Sequence, residues 1–311
     1  MSVELSVVIP TYNRMDTLPE VLAAVEGQRA DFEFEVVVVD DGSTDGTAEW
    51  LAERAFRRSA QVLRQDNAGP ARARNRGVEA ARGRWVAFLG DDTVPEAGWL
   101  QNHRRAHRER GDARELAVIG YTGWHRRMRL NPFLRYINDY GLQFGYRLID
   151  DPEKVPFNFF YTSNLSLQRE LLVAEPFDLR FPYAAWEDIE TSYRLHQRQG
   201  LRLIYEPRAE VAHDHPTSLA RFAERQEKSG YSAVVFYRLH PELGAFLGVG
   251  PEGPPPLPPA APQRFWERLA RALQGLPLKL PGLWERTLRF HYIRGLHRAW
   301  QDQQAVIKEG A

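Results

Sequence analysis

The stretch WVAFLGDD, residues 85–92, decides the fold of this chain. Its first five residues form an apolar run with the length of a buried strand, and two adjacent carboxylates follow. In an open α/β sheet, ligands collect outside the carboxyl ends of the strands. Asp91 and Asp92 are therefore candidates for binding a ligand or a metal. The alternative is that they form a turn or cap the next helix.

Two other apolar runs end in the same way. Residues 5–10 and 35–39 are short and rich in β-branched side chains, as buried strands are. Polar residues follow each run, at 11–14 and at 40–47. Segments with helical spacing of apolar residues lie between the runs. This alternation predicts an α/β fold with a mostly parallel sheet flanked by helices.

The composition excludes several classes of protein. The chain has 311 residues, of which 43% are hydrophobic, enough for one large domain or two smaller ones. Basic and acidic residues both total 41, so the net charge is zero and indicates no nucleic-acid partner. The absence of cysteine excludes disulfides and thiolate metal sites. The sequence has neither a signal peptide nor about 18 consecutive apolar residues, so we expect a cytoplasmic protein.

The last fifth of the chain differs in composition from the rest. Residues 251–262 are rich in proline and are predicted to form an extended linker. Residues 263–311 are predicted to form a basic amphipathic helical tail that contains tryptophans. Such helices lie on anionic membrane surfaces, or they pack on their own protein or on a second copy of it. The sequence leaves these alternatives open, including a homodimer.

Five motifs stand in a fixed order along the chain. They are Pro10-Thr11-Tyr12-Asn13-Arg14, Asp40-Asp41-Gly42-Ser43, the segment 72–77, Gly90-Asp91-Asp92 and Trp186-Glu187-Asp188. This order resembles the family 2 glycosyltransferases over roughly the first 240 residues. Members of that family are inverting enzymes with the Rossmann-like GT-A fold that use nucleotide-diphosphate sugars. The resemblance implies a catalytic domain over residues 1–250, with a donor-binding half at about 1–112 and an acceptor half at about 113–250.

The resemblance also implies a role for each matching position. Tyr12 would stack on the nucleobase, and Asp41 would accept a hydrogen bond from it. The complete set implied to bind the donor is Pro10, Thr11, Tyr12, Arg14, Asp41, Arg72, Arg74, Asn75 and Asp91. The residues implied to hold Mn²⁺ or Mg²⁺ are Asp92, Asp91 and His213.

The implied acceptor side carries the catalytic base. Asp188 would take the proton of the attacking hydroxyl, and Glu187 beside it would orient the acceptor. Asn164 and Trp186 are implied to contact the acceptor. One position departs from the family pattern, because Gly90 stands where the first carboxylate of the Asp-x-Asp motif is expected.

The resulting hypothesis is a metal-dependent transferase that moves a sugar from a UDP- or dTDP-linked donor. The acceptor would be a hydroxyl of a cell-surface glycan or of a lipid-linked molecule, at the inner face of the membrane if the tail binds there. One alternative is a non-catalytic nucleotide-sugar-binding scaffold, which Gly90 would suit. Another is a sugar-phosphate nucleotidyltransferase, but that class predicts a glycine-rich basic loop where this chain has residues 10–14.

Overall fold

A computed structural model describes residues 2–273 and 280–309, with side chains up to residue 302. The chain divides into two compact units. The first consists of residues 1–128, 144–179 and 187–215, and the second of 129–143, 180–186 and 216–311. Residues 216–250 belong to the second unit, together with the carboxyl-terminal segment.

The first unit is built on an eight-stranded sheet. The strands are β1 (Leu5–Thr11), β2 (Phe34–Asp40), β3 (Ala60–Arg64), β4 (Trp85–Leu89), β5 (Thr93–Pro95), β6 (Leu116–Trp124), β7 (Asn164–Gln168) and β8 (Arg202–His213). The α-helices of the chain are α1 (Leu18–Glu26), α2 (Thr47–Glu53), α3 (Pro70–Ala80), α4 (Trp99–Arg108), α5 (Pro132–Asp139), α6 (Arg169–Ala174), α7 (Glu187–Gln199), α8 (Leu219–Leu239), α9 (Gly244–Leu247), α10 (Ala260–Leu273) and α11 (Pro281–Glu309). Helices α5 and α8 to α11 belong to the second unit.

The sheet is mostly parallel, as predicted. Its strand order is β3-β2-β1-β4-β7-β6-β8-β5, and β1 to β4 run parallel to one another. Strand β7 is antiparallel to both β4 and β6. Successive residues of β1 pack on opposite faces, Val7 into one apolar cluster and Val8 into another. Both faces are therefore covered, which explains why these strands are almost wholly apolar.

Strand β8 is interrupted near its middle. Its pairing with β6 jumps from Gly120 opposite Glu206 to Tyr121 opposite Glu210. The residues left out of the register include Pro207, which has no N–H to donate to a neighbouring strand. The bulge places the proline outside the ladder, and the strand continues to His213.

In the second unit, α8 and α11 cross at two glycines. A Cβ atom added to Gly230 would lie 2.0 Å from the carbonyl oxygen of Tyr292, and one added to Gly295 would lie 2.0 Å from that of Glu227. The two backbones are therefore in direct contact. Helix α11 therefore packs on its own protein, which is one of the alternatives that the sequence left open for the tail.

The proline-rich segment lies along α11, where the His297 Nε2 atom is 2.8 Å from the carbonyl oxygen of Pro255. Residues 255–259 have no regular secondary structure, whereas residues 260–262, which belong to the predicted linker, lie in α10. Among the helices in the described part of the chain, none has the length and apolar character needed to cross a bilayer.

Candidate active site

The parallel strands bring three polar loops to one edge of the sheet. Strand β1 lies between β2 and β4, so the residues that follow these strands are neighbours. The backbone N–H of Tyr12 donates to Asp91 Oδ2 at 3.3 Å, and that of Asn13 donates to Ser43 Oγ at 2.9 Å. The strand-end motifs found in the sequence therefore converge as predicted.

Arg14 lies at the acidic pair. Its Nε atom is 3.3 Å from Asp91 Oδ1, and its terminal nitrogen is 3.3 Å from Asp92 Oδ2. The resemblance implies that Arg14 binds the donor, and the structure places its guanidinium between two carboxylates. Its positive charge partly offsets the repulsion between the two acids.

Asp91 and Asp92 differ in their surroundings. Burial and the neighbouring Asp92 carboxylate raise the pKa of Asp91 to about 7, although Arg14 opposes this. Burial alone would also raise the pKa of Asp92, but His213, His215 and Arg14 hold it well below its usual range. Asp92 is therefore the acid that stays ionised.

Asp92, His213 and His215 form a group that could hold a metal ion. One ligand atom from each of the three lies within 4.8 Å of the others. His215 Nδ1 is 3.0 Å from Asp92 Oδ2, and His213 Nε2 is 3.5 Å from Asp92 Oδ1. The buried Nδ1 atom of His213 has no hydrogen-bond partner among the described residues. An oxygen and two imidazole nitrogens form a donor set that suits a divalent cation.

His215 is a residue that the sequence analysis missed, although a signal for it exists. The pattern His213-Asp214-His215 continues an extended strand, and residues two apart on an extended chain project to the same side. The two imidazole rings are indeed stacked, with centroids 5.4 Å apart. Asp91 was predicted as a ligand too, but this group does not include it, because its carboxylate faces Arg14 and the Tyr12 N–H.

Asp214, between the two histidines, is held from a distant part of the chain. Arg127 donates from Nε to Asp214 Oδ2 at 2.6 Å, and it also donates to Glu20 at 2.8 Å. The backbone N–H of Asp214 donates to the carbonyl oxygen of Asp92 at 2.8 Å. These contacts fix the turn that carries both imidazoles.

Asp188 lies in the first turn of α7. Its Oδ1 atom accepts a hydrogen bond from the backbone N–H of Ile189 at 2.9 Å. Burial and the adjacent Glu187 carboxylate raise the pKa of Asp188 to about 7, and Arg74 acts in the opposite direction. A carboxylate with a pKa near neutrality is well suited to accept a proton at physiological pH.

Three residues that were predicted to contact ligands form hydrogen bonds inside the protein. Glu187 is only 3% exposed and pairs with Arg74 at 2.7 Å. Asn75 exchanges two hydrogen bonds of 2.9 Å with the backbone of Phe177. It therefore holds α3 in place and does not face a ligand.

Asn164, which was predicted to contact the acceptor, also forms its hydrogen bonds inside the protein. Its side chain has no exposed surface, and its oxygen lies 2.8 Å from both Trp99 Nε1 and His103 Nε2. Its amide nitrogen donates to the carbonyl oxygens of Tyr121 and Ala209. The buried Asn164 side chain therefore joins α4 to β6 and β8.

The remaining predicted donor residues lie around the ends of β1 and β2. Tyr12 is 47% exposed, Pro10 is partly buried and Thr11 is buried. Asp41 accepts a hydrogen bond from the side chain of Gln65 at 2.7 Å. It also accepts hydrogen bonds from the backbone N–H groups of Ala68, at 2.9 Å, and Gly69, at 2.8 Å, the two residues just before α3. Arg72 is exposed on α3.

Trp186 belongs to the second unit, where it lines a cavity of about 390 Å³. Its backbone has a φ of +72°, which is unusual for a bulky residue. Its indole N–H donates to the carbonyl oxygen of Ser229 at 3.0 Å, and its ring meets that of Phe246 edge to face at 5.7 Å.

Comparison with curated proteins identifies several related enzymes. Validoxylamine A glucosyltransferase of Streptomyces hygroscopicus is 29% identical over 276 residues, which cover 77% of this chain and 61% of that protein. Pre-mycofactocin glycosyltransferase of Mycobacterium tuberculosis is 28% identical over 249 residues, with 78% and 50% covered. The putative teichuronic acid biosynthesis glycosyltransferase TuaG of Bacillus subtilis is 40% identical over 119 residues, with 38% and 46% covered. The chain thus spans between half and three-fifths of the length of the first two relatives.

Solved structures and a family model agree with the predicted fold. The mannosyltransferase PcManGT from Pyrobaculum calidifontis, in complex with GDP-Man and Mn²⁺, has a TM-score of 0.64 at 20% identity, with 97% of this chain and 88% of that chain covered. Staphylococcus aureus TarS 1-349 in complex with UDP-GlcNAc has a TM-score of 0.50 at 18% identity, with 97% and 92% covered. The model described as "Glycosyl transferase family 2" matches residues 6–170, more than half of the chain. The predicted resemblance is therefore confirmed, and the chain belongs to glycosyl transferase family 2.

Proposed function

We propose that this protein transfers a sugar from a nucleotide-diphosphate sugar to a hydroxyl group, with inversion at the anomeric carbon. One observation carries the proposal. A single unit holds both a group suited to a divalent cation, Asp92 with His213 and His215, and a carboxyl group, Asp188, whose pKa is about 7. Glycosyl transfer needs stabilisation of a departing diphosphate and a base for the attacking hydroxyl.

The donor would bind at the ends of β1 and β2. Tyr12 offers an exposed ring for stacking on a nucleobase, and Asp41 lies beside it with its carboxylate oriented by the loop before α3. Arg72 is exposed and can approach a phosphate. Structures of the same fold hold GDP-Man in one case and UDP-GlcNAc in another, so both nucleobases belong in a donor screen beside dTDP sugars.

Asp92, His213 and His215 would hold the cation. When bound, a divalent cation neutralises charge on the diphosphate leaving group. Imidazole nitrogens are ligands of first-row transition metals, whereas Mg²⁺ prefers oxygen ligands and retains water. Two histidines beside one carboxylate therefore favour Mn²⁺ over Mg²⁺.

Asp188 would accept the proton of the acceptor hydroxyl as the new bond forms at the anomeric carbon. With a pKa of about 7, it is ionised in roughly half of the molecules at neutral pH and retains affinity for the proton. General bases of this kind contribute about 10²- to 10⁴-fold to the rate. Single displacement inverts the anomeric centre.

Trp186 and its cavity would receive the acceptor. The cavity lining combines aromatic rings with polar side chains such as Gln226 and Ser229, a mixture suited to the apolar face and the hydroxyls of a sugar ring. A glycan acceptor agrees with the name of the teichuronic acid biosynthesis enzyme, whereas a lipid-linked acceptor is the alternative.

A donor screen tests this function. Purified protein is incubated with UDP, dTDP and GDP sugars, with Mn²⁺, with Mg²⁺ or with a chelator, and nucleoside diphosphate release is measured. We expect release only with a divalent cation, and Asp92→Asn should abolish it. Asp188→Asn should retain donor binding, measured by calorimetry, and lose transfer. Donor binding without turnover by the wild type under all conditions would support the scaffold alternative.

A further inference from the structure

We propose that Arg74 and Glu187 form a positioning pair that fixes the first turn of α7 and sets the charge next to the Asp188 carboxylate. This inference rests on the proposed role of Asp188 as the base. In this role, Arg74 and Glu187 contact neither the donor nor the acceptor.

The pair joins two helices that are far apart in the chain. Arg74 lies in the middle of α3, Glu187 is the first residue of α7, and the two are joined by a hydrogen bond of 2.7 Å. The Arg74 side chain is 12% exposed and the Glu187 side chain 4%. The guanidinium carbon also lies 5.5 Å from the ring centre of Phe177. Both charges are thus withdrawn from water and depend on each other.

Each partner has unused hydrogen-bonding capacity. Arg74 Nε and Glu187 Oε2 are both buried, and neither has a hydrogen-bond partner within the described residues. One contact therefore compensates both buried charges. If either side chain became neutral, the other would remain as an uncompensated charge at the start of α7, where Asp188 follows directly.

Helix α3 connects this pair to the donor side of the sheet. The backbone N–H groups of Ala68 and Gly69, just before α3, donate to Asp41. Asn75, next to Arg74, exchanges two hydrogen bonds with the backbone of Phe177. The helix is consequently fixed at its start and near its middle, and Arg74 transmits that fixed position to the first turn of α7.

The groups that face Asp188 act with opposite signs. Glu187 brings a negative charge that disfavours ionisation of Asp188, and Tyr161 is a further neighbour that interacts with it electrostatically. Arg74 brings a positive charge that favours ionisation, as do the backbone N–H groups of Ile189 and Thr162. Neutralising Glu187 therefore makes the net charge of the pair more positive, and neutralising Arg74 makes it more negative.

The test is the pH dependence of kcat/KM for three variants. Glu187→Gln removes the negative charge at nearly constant shape, so the acidic limb of the profile should move to lower pH by about one unit. In the double variant Arg74→Gln/Glu187→Gln the favourable positive charge is also lost, so its limb should lie at higher pH than that of Glu187→Gln. Arg74→Lys keeps the charge and should keep the limb close to that of the wild type.

An exposed ion pair provides the matched control. Arg114 and Glu170 pair on the surface of the same unit, with side chains 51% and 58% exposed. Arg114→Gln and Glu170→Gln should leave the limb unchanged. A purely structural role for Arg74 and Glu187 would lower the melting temperature and kcat without moving the limb, and that result would overturn the inference.

A measurement without substrate separates this inference from the proposed function. The Asp188 carboxyl is titrated by ¹³C NMR in full-length, metal-free protein, with Asp188→Asn to assign the signal. The inference predicts a lower pKa in Glu187→Gln than in the wild type, whether or not any donor is turned over. An unchanged or higher pKa in that variant would refute it even if transfer activity is found.

Discussion

Replacing Asn164 by leucine distinguishes a structural residue from an acceptor contact. The two side chains have similar size, but leucine forms no hydrogen bond. Asn164 makes four of them, at 2.8 Å to Trp99 Nε1, 2.8 Å to His103 Nε2, 3.0 Å to the carbonyl oxygen of Tyr121 and 2.8 Å to that of Ala209. All four would be lost while the site stays closed to water.

The expected cost follows from the groups left behind. A buried polar group without a partner costs about 1 to 3 kcal/mol, so four of them cost at least about 4 kcal/mol. His103 cannot escape the cost by becoming charged, because burial lowers its pKa to about 4. Relaxation of the surroundings and the added apolar contact of leucine recover part of this. We expect a net loss of about 3 to 4 kcal/mol in the free energy of unfolding.

Equilibrium unfolding in urea, followed by tryptophan fluorescence, measures this loss. Asn67→Leu serves as the control, because Asn67 is exposed and should change stability by no more than about 0.5 kcal/mol. A residue that only contacts the acceptor would give the reverse result, with unchanged stability and a higher KM for the acceptor. A loss below about 1 kcal/mol for Asn164→Leu would refute the structural role.

Three further predictions concern the base, the metal group and the helix crossing. The pKa of Asp188 rises from 3.8 to about 7 on folding, so the folded state binds its proton more tightly and stability falls as pH increases through 7. Asp188→Asn should therefore unfold at a higher temperature than the wild type at pH 8, where its free energy of unfolding should be higher by at most about 4 kcal/mol, and it should have no advantage at pH 4. His215→Ala should weaken Mn²⁺ binding at least about tenfold by calorimetry, because one of three ligands is lost, and an unchanged affinity would exclude His215 as a ligand. Gly295→Val should lower the melting temperature, since its Cβ would meet the Glu227 carbonyl oxygen at 2.0 Å, whereas the same change at Gly282, which has open space, should not.

The strand-end loops could be predicted because they depend on short-range patterns. Apolar runs define β1, β2 and β4, and parallel pairing then forces the residues after them to one edge. The positions of Tyr12, Asp41 and Asp92 follow from that geometry alone. Asp188 could be proposed as the base only through the ordered set of motifs.

The direction of individual side chains could not be predicted. Helix α3 presents Arg72 to solvent but Arg74 to Glu187, and this difference depends on which face packs on α7. Asn164 begins β7 and lies among groups contributed by α4, β6 and β8, none of which is near it in the sequence. Such contacts arise from tertiary packing, which the spacing of residues does not record.

The order in which the chain folds determines when the candidate metal site, Asp92 with His213 and His215, can form. Asp92 and His215 are 123 residues apart, so their approach requires closure of a long loop and pairing of β8, the last strand of the sheet. Closing a loop of this length is slow relative to the formation of local structure. During synthesis, the first four strands can pair before the histidines exist. Cation affinity should thus arise only at the last step of folding, and a fragment that stops at residue 170, where the family match ends, would retain the Gly-Asp-Asp motif without either histidine or Asp188.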